Sequence, residues 1–405
     1  MIKSAIIFPG QGSQYTGMGK DLYNKNPKAK KLFEEASEIV QFDIRKFCFE
    51  ADPKDLYKTE KVQPSLVTIN IAMFQNYMEQ VGVKPLFLAG HSLGEIAALA
   101  CSGAIDFAEA VKLARIRGLL MKETVSEDIT MAAVIGVEDE YLREKCSKLC
   151  NKNEAVYVSL YNSPDQNVIC GDKEAVSKLC REITGKTVKI IPLKINAPFH
   201  SPLMKMAADK IKMELKQFTF KPMKYTVIAN STALPYTDVN SIYENLYTQM
   251  FMPVKWSKTI KYMKDNGIDT ILEVGPNNVL TNMAEKYEKN MKFYSYEKDK
   301  EKIKSIFDKV SRPKIEVLKQ CLAIIVCTPN NNWDETEYKE GVIIPYKRIE
   351  QIIETLEKRK EEPSSEQIRE GMNLLRLVFQ TKGTPTEEQE LRFKQLADKA
   401  GFSLL

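Results

Sequence analysis

The sequence LFLAGHSLGEIAALAC, at residues 86–101, determines the fold class because a short apolar strand passes through a tight turn into an apolar helix. Its centre, GHSLG at residues 90–94, has the G-x-S-x-G pattern. Such a turn needs small residues on both sides and holds the serine hydroxyl clear of the backbone. The alternative is a glycine-rich turn that only caps the helix. The pattern predicts a nucleophile elbow with Ser92 at its tip, and the N–H of Leu93 lies at a helix start, where it can donate to an oxyanion.

Short apolar strands alternate with amphipathic helices on both sides of this turn. The spacing of apolar residues predicts strands at 5–8, 86–89, 225–229 and 270–274, and helices at 28–40, 66–81, 94–101, 107–121 and 201–216. This order is typical of an α/β protein with a parallel sheet covered by helices. Residues 1–128 and 196–311 are assigned to that core.

Residues 129–195 have a different pattern. Strands are predicted at 131–137, 155–161, 167–170 and 189–193, with helices at 139–151 and 173–184. The order β-α-β-β-α-β predicts a ferredoxin-like subdomain inserted in the core. From residue 312 to 405 the sequence predicts a mainly helical extension, in which Ser364 with Gln367 and Thr384 with Glu387 are interpreted as capping boxes that open two helices.

Composition excludes several classes of function. The 405 residues carry a net charge of only +5, and lysines and glutamates are interleaved, so no nucleic-acid footprint is present. The apolar stretch near the start, residues 5–8, is too short for a signal peptide or a membrane span. The eight cysteines show no metal-type spacing, which predicts reduced thiols, no metal site and a cytoplasmic protein.

The chain has only two histidines, His91 and His200. A serine nucleophile at its ordinary pKa is inert until a base takes its proton. His91 is the immediate neighbour of Ser92, so its side chain is expected to point away from the elbow, which leaves His200 as the candidate base. The alternative is a structural loop histidine. Because no Asp or Glu motif offers a third member, we expect a dyad in which a backbone carbonyl or an amide fixes the tautomer of His200.

The sequence PGQGSQ, at residues 9–14, follows the first predicted strand. Tyr15 stands where a dinucleotide fingerprint needs its third glycine, and Met18 stands where a Walker loop needs lysine, so neither phosphate-binding template fits. We interpret the segment as a loop whose backbone N–H at Gln11 is the second oxyanion donor. One such donor contributes about 3 kcal/mol of transition-state stabilisation.

Arg117 occupies an unusual place on the predicted helix 107–121. It lies within the apolar stripe formed by Ala110, Leu113, Ala114 and Met121. A buried guanidinium without a partner is costly, so it needs an anion. That anion is either a buried Asp or Glu or a substrate carboxylate held in a bidentate clamp. The second interpretation makes the acyl group a dicarboxylic half-thioester.

Together these motifs resemble the malonyl-CoA:acyl carrier protein transacylases, in particular the free-standing, trans-acting acyltransferases of bacterial polyketide or fatty acid synthesis. The resemblance covers about residues 1–290 in the family's order. It is carried by GQGSQ at 10–14, GHSLGE at 90–95, Arg117, NSP at 162–164, Phe199 with His200, Gln249 before PVKW at 253–256, and EVGP at 273–276. Ile96 departs from it, since many members carry an aromatic residue there.

The resemblance implies an α/β-hydrolase-like core and malonyl transfer from malonyl-CoA to the phosphopantetheine thiol of an acyl carrier protein, with no bound cofactor. It implies that Ser92 is the nucleophile, His200 the base and Arg117 the malonyl clamp. Gln11 and Leu93 would be the oxyanion donors.

The same resemblance implies further substrate-site residues. The carbonyl of Gln249 would orient His200, and Phe199 would leave little room for an α-methyl branch on the acyl group. Asn162 and His91 complete the expected substrate-binding set.

Two other functions fit parts of the sequence. An acyl-thioester hydrolase would use the same dyad to release acyl groups to water, and a non-catalytic docking module would use only the long tail. Arg117 favours transfer, because a clamp can hold the ester intact against water.

The tail after Arg312 is similar to extensions on free-standing transacylases of bacterial polyketide pathways. We hypothesise that it docks a carrier protein or a synthase partner; the alternative is a set of solvated helices. Deleting it is then expected to raise the KM for carrier protein in steady-state transfer assays without affecting self-malonylation. Equal KM values would contradict the hypothesis.

Overall fold

The computed structural model describes residues 2–151, 154–183, 185, 187–195, 197–311 and 315–400. It divides into two compact units, one formed by Met1–Tyr77 with Pro85–Lys300 and the other by Met78–Lys84 with Glu301–Leu405. The domain boundaries expected after residues 128, 195 and 311 stay predictions; residues 196 and 312–314 lie outside the described part of the chain.

The described residues form nine strands and eighteen α-helices. The strands are β1 (Ser4–Phe8), β2 (Phe87–Gly90), β3 (Ile129–Ile135), β4 (Val156–Ser163), β5 (Gln166–Asp172), β6 (Lys189–Pro192), β7 (Thr226–Ile228), β8 (Thr270–Glu273) and β9 (Lys292–Ser295). The helices are α1 (Lys20–Lys25), α2 (Pro27–Val40), α3 (Ile44–Glu50), α4 (Thr59–Gln80), α5 (Gly94–Cys101), α6 (Phe107–Lys122), α7 (Asp139–Leu149), α8 (Lys173–Glu182), α9 (Lys205–Leu215), α10 (Val239–Gln249), α11 (Trp256–Asp265), α12 (Val279–Tyr287), α13 (Lys300–Ser311), α14 (Ile315–Cys327), α15 (Glu335–Tyr338), α16 (Ile344–Arg359), α17 (Ser365–Thr381) and α18 (Thr386–Ala400).

The central sheet has the strand order β7-β2-β1-β8-β9, and every pairing in it is parallel. All five residues of β1 are buried, as expected for a strand covered on both faces. In the register, Phe8 lies opposite Gly90, so the loops that follow β1 and β2 leave the sheet side by side. The predicted parallel α/β core is confirmed, and this edge of the sheet positions the site.

The second sheet has the order β4-β5-β3-β6 and is antiparallel. Helices α7 and α8 pack on it around one apolar cluster that includes Val134, Leu142, Ile169 and Leu179. The β-α-β-β-α-β order predicted for this stretch is confirmed.

Helix α4 begins at Thr59, seven residues before the predicted start at 66, although Pro64 lies inside the helix. Proline has no N–H to donate to the carbonyl four residues earlier, here that of Glu60. The guanidinium of Arg115 supplies the missing donor, with Nη1 2.5 Å from the Glu60 carbonyl oxygen. Arg115 therefore repairs the backbone of a neighbouring helix.

The second unit has its own apolar core, in which α14, α16 and α17 bury residues such as Leu318, Ile349, Leu375 and Phe379. The Ser364–Gln367 capping box is present with both hydrogen bonds. The one predicted at Thr384 is wrong: α18 begins at Thr386, and the buried Thr384 hydroxyl has no partner among the described residues. Among the helices described here, none is long and apolar enough to cross a bilayer.

Candidate active site

The elbow between β2 and α5 holds Ser92 in a strained backbone conformation, with φ of 51°. A Cβ added at Gly90 would lie 1.9 Å from the carbonyl carbon of Gly94, and one added at Gly94 would lie 2.2 Å from the carbonyl oxygen of Phe8. Neither position can accept a side chain without moving backbone. Both glycines of the G-x-S-x-G pattern are therefore required by the close approach of β1, β2 and α5.

His200 pairs with Ser92 across the site, with Nε2 2.7 Å from the serine Oγ. Its Nδ1 lies 2.8 Å from the carbonyl oxygen of Gln249. A carbonyl can only accept, so Nδ1 carries the proton and Nε2 is left to accept one from Ser92. Gln249 is the last residue of α10, where helix carbonyls lack an intrahelical partner, and this explains why its oxygen is available.

Burial, together with the charge of Arg117, lowers the pKa of His200 to about 3, while the hydrogen bond to the Gln249 carbonyl acts in the opposite direction. The imidazole is therefore neutral at neutral pH, which is the protonation state that a general base needs.

Arg117 lies on α6 and is 3% exposed. Its Nη2 donates to Ser92 Oγ at 3.2 Å and to the side-chain oxygen of Gln249 at 3.0 Å, and its Nη1 donates to that of Gln63 at 3.0 Å. Its Nε has no partner among the described residues. Burial lowers the pKa of Arg117 to about 10, against the attraction of Glu95, so the group stays a cation with a donor to spare.

Two unpaired backbone donors lie on the segments that meet at the elbow. Within the described residues, neither the N–H of Gln11 nor that of Leu93 donates a hydrogen bond. A Cβ at Gly10 would lie 3.5 Å from the Leu93 nitrogen and 2.4 Å from the His91 carbonyl oxygen, so the loop after β1 packs directly on the turn. This arrangement can hold an oxyanion.

Comparison with known proteins agrees with this geometry. The family model described as an acyl transferase domain matches residues 5–306. A malonyl CoA-acyl carrier protein transacylase of Bacillus subtilis is 35% identical over 392 residues, which cover 95% of this chain and 98% of the relative. The Escherichia coli K12 protein of the same description is 38% identical over 290 residues, which cover 71% of this chain and 93% of that protein. The chain belongs to the malonyl-CoA:acyl carrier protein transacylase family.

Solved structures support the same conclusion. An acyl carrier protein S-malonyltransferase from Vibrio cholerae is 36% identical with a TM-score of 0.69, covering 72% of this chain and 96% of that one. A transacylase from Clostridium perfringens is 34% identical with a TM-score of 0.72, covering 78% of this chain and 99% of that one. The predicted fold, family and acyltransferase class are confirmed. The Bacillus subtilis match, at 392 of 405 residues, must also include most of the helical extension.

Three of the expected substrate-site residues of this transacylase lie beside the dyad without bonding to it. His91 Nε2 lies 2.9 Å from the side-chain oxygen of Asn162, and its ring packs edge-on against Trp256. Phe199 is buried next to His200. Within the described residues, neither His91 nor Asn162 hydrogen-bonds to Ser92, His200 or Arg117, and their substrate-binding roles stay predictions.

Asn230 is a site residue that the sequence reasoning missed. Its Oδ1 accepts from the Ser92 N–H at 2.6 Å, and its Nδ2 donates to the Gly90 carbonyl at 2.6 Å, so it fixes the elbow from the end of the neighbouring strand. It follows β7 at the carboxyl end of a parallel strand, where ligand-binding residues of such sheets gather, and that position was the available signal.

Glu95 was also missed as a site residue. It is fully buried, and its Oε1 accepts from the Asn230 N–H at 3.1 Å and from the Tyr236 hydroxyl at 2.5 Å. Its Oε2 accepts from the Gln249 side chain. Burial raises the pKa of Glu95 to about 7, although these hydrogen bonds and the charge of Arg117 lower it. The carboxyl group therefore titrates near neutrality inside the site.

Proposed function

We propose that this enzyme transfers the malonyl group from malonyl-CoA to the phosphopantetheine thiol of an acyl carrier protein through a malonyl-Ser92 intermediate. The observation that carries the proposal is that one atom, Ser92 Oγ, contacts both His200 Nε2 at 2.7 Å and Arg117 Nη2 at 3.2 Å. These two contacts support a mechanism in which Ser92 is the nucleophile, His200 its base and Arg117 a neighbouring cation.

In the first half-reaction, His200 Nε2 takes the hydroxyl proton as Ser92 Oγ attacks the thioester carbonyl carbon. Negative charge develops on the carbonyl oxygen, where the N–H groups of Gln11 and Leu93 donate to it. The C–S bond then breaks, and the CoA sulfur leaves with the proton from His200. The Gln249 carbonyl, at the negative end of α10, stabilises the imidazolium while it exists.

The second half-reaction reverses this order with a different thiol. His200 takes the proton of the carrier-protein thiol as its sulfur attacks the malonyl-Ser92 carbonyl. The ester C–O bond breaks, and Ser92 Oγ recovers its proton from His200. The same base serves both halves, so the kinetics are expected to be ping-pong.

Arg117 explains selection of the acyl group. Its guanidinium is buried and charged, and its Nε has no partner among the described residues, so a substrate carboxylate gains a charge-assisted hydrogen bond there. Phe199, beside the base, is assigned to exclude α-branched acyl groups.

Intact-mass measurement tests the proposal. Incubation with malonyl-CoA is expected to add one malonyl group to the protein, and later addition of carrier protein bearing phosphopantetheine is expected to move that mass to the carrier. Rapid release of free malonate with an unloaded carrier would instead identify a hydrolase.

Replacing Arg117 with alanine is expected to lower kcat/KM for malonyl-CoA by about 100-fold or more, because the charged clamp is lost. Single-turnover formation of the acyl-enzyme from malonyl-CoA and acetyl-CoA measures the effect, and acetyl transfer is expected to change far less. Arg115→Ala is the matched control: this arginine lies on the same helix but donates to the Glu60 carbonyl. A similar loss of malonyl selectivity in both variants would contradict the role of Arg117.

We also propose that the enzyme acts in the cytoplasm. All eight of its cysteines are free thiols, the state that a reducing compartment maintains. Fractionation of cells followed by malonyl-transfer assays tests this proposal, and activity confined to the membrane or extracellular fraction would contradict it.

A further inference from the structure

The side chain of Gln249 lies between the two buried charged groups of the site. Its Oε1 accepts from Arg117 Nη2 at 3.0 Å, and its Nε2 donates to Glu95 Oε2 at 2.5 Å. All three residues are at most 3% exposed. Within the described residues, Arg117 and Glu95 make no direct ion pair, so the amide bridges a cation and an anion that are otherwise apart.

The two ends of this amide are not interchangeable. Rotating it by half a turn would direct its NH₂ group at the guanidinium of Arg117, donor against donor, and its oxygen at the Glu95 carboxylate, acceptor against acceptor. An ionised carboxylate only accepts, and so does the Ser92 carbonyl, to which the same Gln249 Nε2 donates at 2.9 Å; Glu95 and the Ser92 carbonyl therefore permit one orientation of Gln249. That orientation is the one in which the amide oxygen faces Arg117.

The Gln249 bridge meets two opposing requirements of Arg117, which needs a counter-charge nearby and also a free donor for the substrate. A buried cation without a counter-charge is costly. A carboxylate paired directly with Arg117 would remove that cost but occupy the donors that a substrate carboxylate needs. With Gln249 between them, Glu95 compensates the charge while Arg117 Nε remains without a partner among the described residues.

We propose that Glu95 is a positioning residue for acyl-group selection. It acts through Gln249 to keep a hydrogen-bond donor of Arg117 available for the carboxylate of the acyl donor. Tyr236 and Asn230 hold its other oxygen and so fix it in place. Its carboxylate bonds to neither the Ser92 hydroxyl nor the His200 ring in the described residues, and its effect on the chemistry is therefore indirect. The inference rests on the proposed malonyl transfer.

The Glu95→Gln variant tests the positioning role of Glu95, because the new amide can donate as well as accept hydrogen bonds and carries no charge. Single-turnover acylation is followed by intact mass with malonyl-CoA and with acetyl-CoA at pH 8, where the wild-type carboxylate is ionised. We expect kcat/KM for malonyl-CoA to fall roughly 10- to 100-fold, mostly through KM. The value for acetyl-CoA is expected to change less than about threefold, because acetyl has no carboxylate for Arg117 to bind.

Glu273→Gln is the matched control. Glu273 is equally buried, but its carboxylate accepts from the N–H groups of Leu280 and Thr281 at the start of α12. This variant is expected to lose stability in a thermal melt and keep the malonyl-to-acetyl ratio. Glu95→Asp, which retains the charge on a shorter side chain, is expected to recover part of the selectivity, and it serves as the readout if Glu95→Gln does not fold.

The outcomes distinguish a failure of the positioning role of Glu95 from a failure of the proposed malonyl transfer. An equal fall in kcat/KM for malonyl-CoA and acetyl-CoA in the Glu95 variants, or no change in either value, would overturn the positioning role. Wild-type protein that never acquires a malonyl adduct would overturn the proposed function instead.

Discussion

Ser92→Ala is expected to abolish the malonyl adduct and to lower transfer to carrier protein by at least ~10⁴-fold. Alanine removes Ser92 Oγ, the one side-chain atom in the described part of the chain that hydrogen-bonds to both His200 and Arg117. Intact mass after incubation with malonyl-CoA measures the adduct, and a carrier-protein mass shift measures transfer. The fold should persist, because the backbone N–H at this position still donates to Asn230 Oδ1.

Ser102→Ala is the control for this variant. Ser102 is buried at the carboxyl end of the same helix, α5, and its hydroxyl donates to the Leu99 carbonyl at 2.7 Å, away from the dyad. It is expected to retain the adduct. A malonyl adduct that persists on Ser92→Ala would show that another residue carries the acyl group.

The sequence was sufficient for features that depend on local pattern. The glycines around Ser92 predicted the elbow because the whole G-x-S-x-G pattern lies within one strand-turn-helix segment. Arg117 stood out because a charge in an apolar helical stripe is a local anomaly. His200 was selected because the only other histidine, His91, is the immediate neighbour of Ser92.

Features that depend on contacts between distant segments could not be predicted in this way. Asn230 reaches the elbow across 138 positions of sequence, and the Gln249 amide meets Glu95 across 154. The sequence around Asn230 or Gln249 does not indicate which distant residue each one contacts. The early start of α4 depended on Arg115, which replaces the donor that Pro64 lacks and lies 55 positions from the carbonyl it serves. Helix-propensity rules cannot predict that a distant side chain replaces a missing backbone donor.

The anion expected opposite Arg117 shows why both sequence alternatives had to stay open. A buried carboxylate does lie near the guanidinium, in Glu95, yet it reaches Arg117 through an amide. The structure thus contains a buried acid and also leaves a donor for a substrate. The two interpretations, a buried acid and a substrate carboxylate, are reconciled by the Gln249 side chain. Sequence spacing could not predict its contact with either Arg117 or Glu95.

His200→Ala is expected to slow formation of the malonyl adduct by at least ~10⁴-fold at pH 7.5, because the serine hydroxyl then has no acceptor for its proton. Quenched single-turnover reactions at saturating malonyl-CoA measure the rate. His91→Ala is the matched control, since it removes the only other imidazole but leaves the Ser92–His200 pair intact, and a loss of less than about 100-fold is expected from the missing bond to Asn162. A comparable loss in both variants would contradict the assignment of the base.

The pH profile of the wild type gives a second test of the same base. Burial and Arg117 lower the pKa of His200 to about 3, so the imidazole becomes protonated only far below neutrality. Between pH 7.5 and 5.5 its neutral fraction stays close to one, whereas a base with an ordinary pKa near 6.5 would lose about tenfold in rate. The rate is measured at saturating malonyl-CoA because Glu95, which titrates near neutrality, is proposed to act mainly on KM through Arg117. Its titration then has little effect on the measured rate. A tenfold fall over this range would show that the base has an ordinary pKa and is not buried as the structure places it.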